Sequence, residues 1–76
     1  MSTAELVLTT VAEVTGCGPV RPDDSFFDIG GSSLDALRIC LRINRWAGTD
    51  VDHQALLDSD DLAAFVVAVD AARAAR

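Results

Sequence analysis

Between Asp24 and Leu37 the chain reads DSFFDIGGSSLDAL. Two adjacent hydroxyls, Ser32 and Ser33, follow two glycines and open an apolar pattern of helical spacing. At the start of a helix the backbone amides point outward and the dipole is positive. A phosphate attached there is stabilised, so the local chemistry suits a serine that receives a phosphate-containing group. Gly30 and Gly31 remove side-chain bulk, which would let another protein's active site approach closely. A serine nucleophile would need a base and a group to orient it. The sole histidine, His53, lies on another segment, and GGSSL lacks the second glycine of a nucleophile elbow. A self-contained hydrolase is therefore disfavoured. Serines that merely cap a helix are common, so on the residues alone capping and phosphate acceptance both stand.

Size and composition narrow the classes. A chain of 76 residues is one small domain, and such a domain buries only about 60 % of the surface its unfolded chain exposes. That leaves little room for an enclosed active site. The formal charge of −6 repels phosphate backbones and argues against a nucleic-acid partner. All six basic residues are arginines. No apolar run approaches the roughly 20 residues that span a membrane, and the N-terminus lacks a secretion-signal pattern. Cys17 and Cys40 have no metal-like or redox-like spacing. These features suggest a cytoplasmic, free-standing domain with reduced thiols and no metal. Cys40 reads as core packing and Cys17 as an exposed loop thiol.

The elements that must position the serines are helical throughout. Ser2 and Glu5 fit a capping box. Ala4, Val7, Leu8, Val11 and Val14 then share one helical face, and Gly16 supplies a stop. Residues 17–31 form a long loop, a length that tends to be functional, with Phe26 or Phe27 tethering it to the core. A second helix is predicted from about Ser33 to Ala47, capped by Ser32 with Asp35 three residues on. A short helical turn follows at His53–Leu57. Ser59 or Asp58 then caps a last helix whose face is Leu62, Phe65, Val66, Val69 and Ala72. No segment alternates, so the fold class is all-α: three longer helices and one short one.

The second helix carries two stripes. Ala36, Leu37, Cys40, Ile43 and Ala47 make a sufficient core face. Leu34, Arg38, Leu41 and Arg45 form another, bordered by Arg42. Arginine stems covering incidental leucines would explain it; so would a partner-docking face of apolar contacts rimmed by positive charge. Trp46 lies between the two faces and reads as a packing lid. His53 reads as a half-buried or surface residue, with contact to a partner beside the second helix as the sharper possibility.

DSFFDIGGSSLDALRI resembles the phosphopantetheine attachment motif of carrier proteins, in which an Asp-x-Gly-Gly-x-Ser-Leu core follows paired phenylalanines and opens the second helix of a four-helix bundle. VAEVTG resembles the end of that family's first helix, and VDHQALLDSDDLAAFVVAV its third and fourth. Matched by position, the modified serine is Ser33 rather than Ser32, with Asp28, Gly30, Gly31 and Leu34 at the other motif positions. The paired phenylalanines and glycines are most similar to peptidyl carriers of nonribosomal peptide synthesis. The sequence departs from the family pattern in four places: Ser32 for His or Asp, Arg38 for an acid of fatty-acid carriers, His53 for an aliphatic residue, and Asp60–Asp61 for Pro-Thr.

The resemblance implies a single carrier (thiolation) domain over residues 1–76 that catalyses nothing itself. A separate Mg²⁺-dependent phosphopantetheinyl transferase would use coenzyme A: the Ser33 hydroxyl attacks the β-phosphate, and 4′-phosphopantetheine becomes a phosphodiester on the protein. The arm's thiol would hold aminoacyl or peptidyl groups as thioesters for an adenylating or loading enzyme and for condensing or tailoring enzymes. Leu34, Arg38, Leu41 and Arg45, with Ile29, would set which of these dock on the monomer. Arg38 would favour a broad-specificity transferase over the fatty-acid type, since a basic stripe meets a basic pocket poorly. An acyl carrier of a polyketide or other acyl pathway is the close alternative, and an unmodified helical interaction module the alternative of a different class.

Overall fold

A computed structural model describes residues 2–75. Its described residues form α1 (Thr3–Thr15), α2 (Ser33–Ala47), α3 (His53–Leu57) and α4 (Leu62–Ala74), with no strand among them. The all-α expectation holds, and the bounds of α2 and α3 are those read from the sequence. α2 is the hub: it packs on α1 and on α3, while α4 closes the bundle against both.

Start and stop chemistry sets the helix ends. Ser2 and Glu5 form the predicted capping box on α1, and Gly16 ends that helix with φ of 71°, a left-handed conformation that costs glycine nothing. The cap of α4 differs from the expectation. Asp61, not Asp58 or Ser59, accepts from the Ala64 amide at 2.9 Å. Asp58 instead closes α3, and the Ser59 hydroxyl donates back to the Ala55 carbonyl at 2.7 Å. The reason lies in the long loop. Its Asp24 and Pro22 carbonyls accept from the Leu62 and Ala63 amides at 2.9 and 2.8 Å. With Asp61, they satisfy three of the four amides that every helix start leaves open.

The core is built from Leu6, Val7 and Val11 of α1, Ile39 and Ile43 of α2, Leu56 of α3, Phe65 and Val69 of α4, and Phe26 of the loop. Two faces are rotated from their sequence reading. On α1 the buried set is Thr3, Leu6, Val7, Thr10 and Val11, while Ala4, Leu8 and Val14 lie at its margin. A polar network draws Thr3 inward. Its hydroxyl donates to Asp70 and accepts from Arg73, both at 2.8 Å, so a hydroxyl can be buried without an unmet hydrogen bond. On α2, Ile39 is fully buried and Leu37 is exposed. Leu37 falls over an open edge beside the start of α3, where it borders a depression with Val51 and His53. Trp46 is half exposed, with the Arg73 guanidinium 5.3 Å from its ring centroid. It is not among the residues packed on the core, so it is less of a lid than the sequence suggested.

Candidate functional site

The loop presents the motif by anchoring one phenylalanine and freeing the other. Phe26 is 1 % exposed and Phe27 is 56 % exposed. Their rings meet edge to face with centroids 5.9 Å apart. From Phe26 the chain makes one tight turn. The Ile29, Gly30 and Gly31 amides donate to the Ser25, Phe27 and Phe26 carbonyls at 3.2, 3.0 and 3.0 Å. Gly30 leaves that turn with φ of 85°, where an L side chain would be strained.

Gly31 has a different duty. A Cβ placed there would overlap the Phe26 ring. The expectation that both glycines are clearance for a visiting enzyme is thus corrected for Gly31. Its missing side chain makes room for the protein's own phenylalanine, which lets the loop lie close on the core. Open space surrounds the Cβ position of Gly30, so its need is conformational.

The two serines separate cleanly. Ser32 is the N-cap of α2. Its hydroxyl accepts from the Asp35 amide at 3.1 Å, and the Asp35 carboxylate accepts from the Ser32 amide at 3.3 Å. Ser33 is the first residue of the helix and is exposed. Neither its hydroxyl nor the backbone amides of Ser33 and Leu34 have a hydrogen-bond partner among the described residues. An accessible hydroxyl therefore sits beside two open donors at the positive end of a helix of 15 residues. Asp28 is exposed on the turn before it.

Leu34, Arg38, Leu41 and Arg45 all stand clear of the bundle, as the second stripe requires. Leu34 and Leu41 are 55 % and 60 % exposed. Leu37 belongs with them. It lies three residues after Leu34 and four before Leu41, a spacing that could have assigned it to this face. Ile29 is only partly exposed: it packs against the core, and its carbonyl accepts from the Cys17 thiol at 2.8 Å. Phe27 is the exposed apolar residue of the loop.

Asn44 escaped the sequence reading. Its side chain accepts from Thr49 and from the Val51 amide at 2.8 Å, and donates to the Val51 carbonyl at 2.9 Å. It therefore fixes the turn that carries α3 beside the leucine stripe. An Asn in the last turn of a helix, one turn before the glycine that ends it, is the only signal it gives. His53, the first residue of α3, is partly exposed and has Nδ1 3.1 Å from an Asp52 oxygen. Cys40 is buried in the core beneath, where burial, and then the Asp52 carboxylate, push its thiol up to about 11. Cys17 is exposed, and the two cysteines are free. No group of metal-binding side chains occurs among the described residues.

The geometry is that of a small helical bundle with the Ser33 hydroxyl exposed at a helix start and without a hydrogen-bond partner among the described residues. Comparison with known proteins gives that geometry a family. Residues 5–69 match the family described as phosphopantetheine attachment site. The chain is 37 % identical over 71 residues to a dimodular nonribosomal peptide synthase of Bacillus subtilis, covering 93 % of this chain and 3 % of the relative. It is 40 % identical over 63 residues to the probable non-canonical nonribosomal peptide synthetase CymA of Salinispora arenicola, covering 83 % and 1 %. It is 41 % identical over 64 residues to the phosphinothricin tripeptide synthetase PhsB of Streptomyces viridochromogenes, covering 84 % and 5 %. The chain thus spans at most 5 % of the length of these curated relatives. No solved structure matches it. The chain belongs to the phosphopantetheine attachment family, carriers that hold a covalently attached 4′-phosphopantetheine.

Proposed function

We propose that Ser33 bears the arm and that residues 1–76 work as one thiolation unit, holding aminoacyl or peptidyl intermediates in nonribosomal peptide assembly. The observation that carries the site is the division of labour between the serines: Ser32 is spent on the helix cap, whereas the Ser33 hydroxyl is exposed and unpartnered. The residues suit the arm's phosphate, because the open amides of Ser33 and Leu34 lie at the positive helix end. In transfer from coenzyme A, the Ser33 oxygen bonds to the β-phosphorus and the bond to the nucleotide phosphate breaks. The serine proton goes to a base of the transferase. Once attached, the arm supplies a thiol on which cargo is held as a thioester, and tethering raises its local concentration at each docked enzyme.

The peptide rather than acyl pathway is supported by the relatives, which are named as peptide synthetases. Docking by Leu34, Leu37, Arg38, Leu41 and Arg45, with Phe27 and a minor share from Ile29, is supported by their exposure on one side of α2 and the loop. The partners in this reading are a phosphopantetheinyl transferase, an adenylating enzyme, and condensing or tailoring enzymes, met by a cytoplasmic monomer. No helix among the described residues is long and apolar enough to cross a membrane.

The test is intact-protein mass spectrometry after incubation with coenzyme A, Mg²⁺ and a broad-specificity transferase. The wild type gains one phosphopantetheine and Ser33→Ala gains none. No gain on the wild type sinks the carrier reading. Offering the loaded protein to aminoacyl-adenylating and to acyl-transferring enzymes then separates the pathways; acyl loading alone would favour the polyketide-type alternative.

A further inference from the structure

The exposed side of α2 divides lengthwise into two lanes. Leu37 and Leu41 lean toward α3, where they border an open depression with Asp50, Val51, Asp52 and His53. Arg38 and Arg42 lean toward α1, where they border another with Glu13, Val14 and the near edge of Leu41. Arg42 is tied across to Glu13 at 2.7 Å. Arg38 and Arg45 have no ion pair among the described residues. An apolar ridge thus separates an arginine flank from a flank bearing the Asp50 and Asp52 carboxylates, on a chain of net charge −6. Where most of the surface is acidic, two unpaired guanidiniums beside exposed leucines are what a partner's charge pattern must answer.

We infer that α2 docks a partner surface whose apolar contacts are flanked by carboxylates on the α1 side, so that Arg38 and Arg45 select acidic-rimmed partners. The inference rests on the carrier reading for its biological role, and it goes beyond that reading in naming the partner's chemistry. Opposite charge placed over the arginine flank raises association and fixes orientation, while like charge there costs affinity. Guanidiniums suit this work because they pair carboxylates through two parallel hydrogen bonds. The charged lane lies beside the leucines, so one docking event engages both.

The probe is a synthetic helical peptide with a leucine stripe flanked by glutamates, compared with the same peptide bearing lysines instead. Binding to the full chain is followed by amide chemical shifts at low and at physiological salt. The glutamate peptide is expected to move the resonances of Leu37, Arg38, Leu41 and Arg45 and to bind at least about tenfold tighter than the lysine peptide. That preference should shrink with salt and reverse in the Arg38→Glu/Arg45→Glu double variant. Both positions are exposed, so the variant keeps the fold, which its own spectrum checks. Equal binding of the two peptides, binding of neither, shifts elsewhere on the bundle, or a preference unchanged in the double variant would each overturn the inference. Loading of Ser33 from coenzyme A is measured separately on the same proteins. Failure of the docking claim is thereby distinguishable from failure of the carrier reading.

Discussion

The two sides of α2 hold similar apolar residues and use them oppositely. On one side Ile39 and Ile43 are sealed in the core; on the other Leu34, Leu37 and Leu41 face solvent. A single surface leucine needs no explanation. Three on one stripe, beside arginines and leading back to an open hydroxyl, support the proposed reading of a helix read from outside while its other side holds the bundle together. The lesson is that position around the helix, more than hydrophobicity, separates residues sealed in the core from those left exposed in a domain this small.

The most direct way to break that comparison is to truncate one residue from each side. Ile39→Ala should cost about 2–5 kcal/mol of folding stability, the usual range for emptying a packed core site. Leu41→Ala should stay within about 0.5 kcal/mol, as surface changes do. Urea unfolding of the two variants reads both. Equal losses would mean that the leucine stripe is structural and would remove its claim to docking.

A smaller effect is expected at Gly31. Gly31→Ala forces a methyl into the Phe26 ring, and overpacking of this kind costs about 1–3 kcal/mol. The melting temperature should fall while Ser33 remains modifiable at temperatures where the variant is folded. A variant of normal stability that resists the transferase would restore the view that Gly31 is clearance for the visiting enzyme. Ser32→Ala should be milder, about 1 kcal/mol through the lost cap, with the arm still attached.

A last effect is electrostatic, absent at neutral pH and visible only in alkali. The Cys40 thiol is raised in the folded state from 9.0 to about 11. The unfolded chain therefore loses this proton first. The contribution to stability is intact below pH 9 and is lost as pH rises toward about 11. Denaturation curves across that window should steepen in their pH dependence for the wild type relative to Cys40→Ala. Identical slopes would show that burial does not hold the thiol neutral.

Much of this was legible in the sequence because local chemistry dictated it. The Ser32–Asp35 box marks the start of α2 and assigns Ser32 to the cap, and the family resemblance picks out Ser33 beside it. Gly16 and the spacing of α2 and α3 were similarly explicit. What the sequence concealed were contacts between distant segments. Thr3 is buried because Asp70 and Arg73 meet it from α4. Asp61 is the cap of α4 because the loop carbonyls of Asp24 and Pro22 take the next two amides, those of Leu62 and Ala63, and leave the Ala64 amide to its side chain. Gly31 is small because Phe26 folds back over it. Helical period alone could not choose between Leu37 and Ile39 for the core, since both border the buried stripe and only the placement of α1 and α3 decides.

The central claim, that Ser33 rather than its neighbour is the attachment point, is tested most directly by fragmentation mass spectrometry of the protein after transfer from coenzyme A. The account predicts a phosphopantetheine on Ser33 alone, undiminished in Ser32→Ala and absent in Ser33→Ala. An arm found on Ser32, or a gain that survives Ser33→Ala, would contradict it.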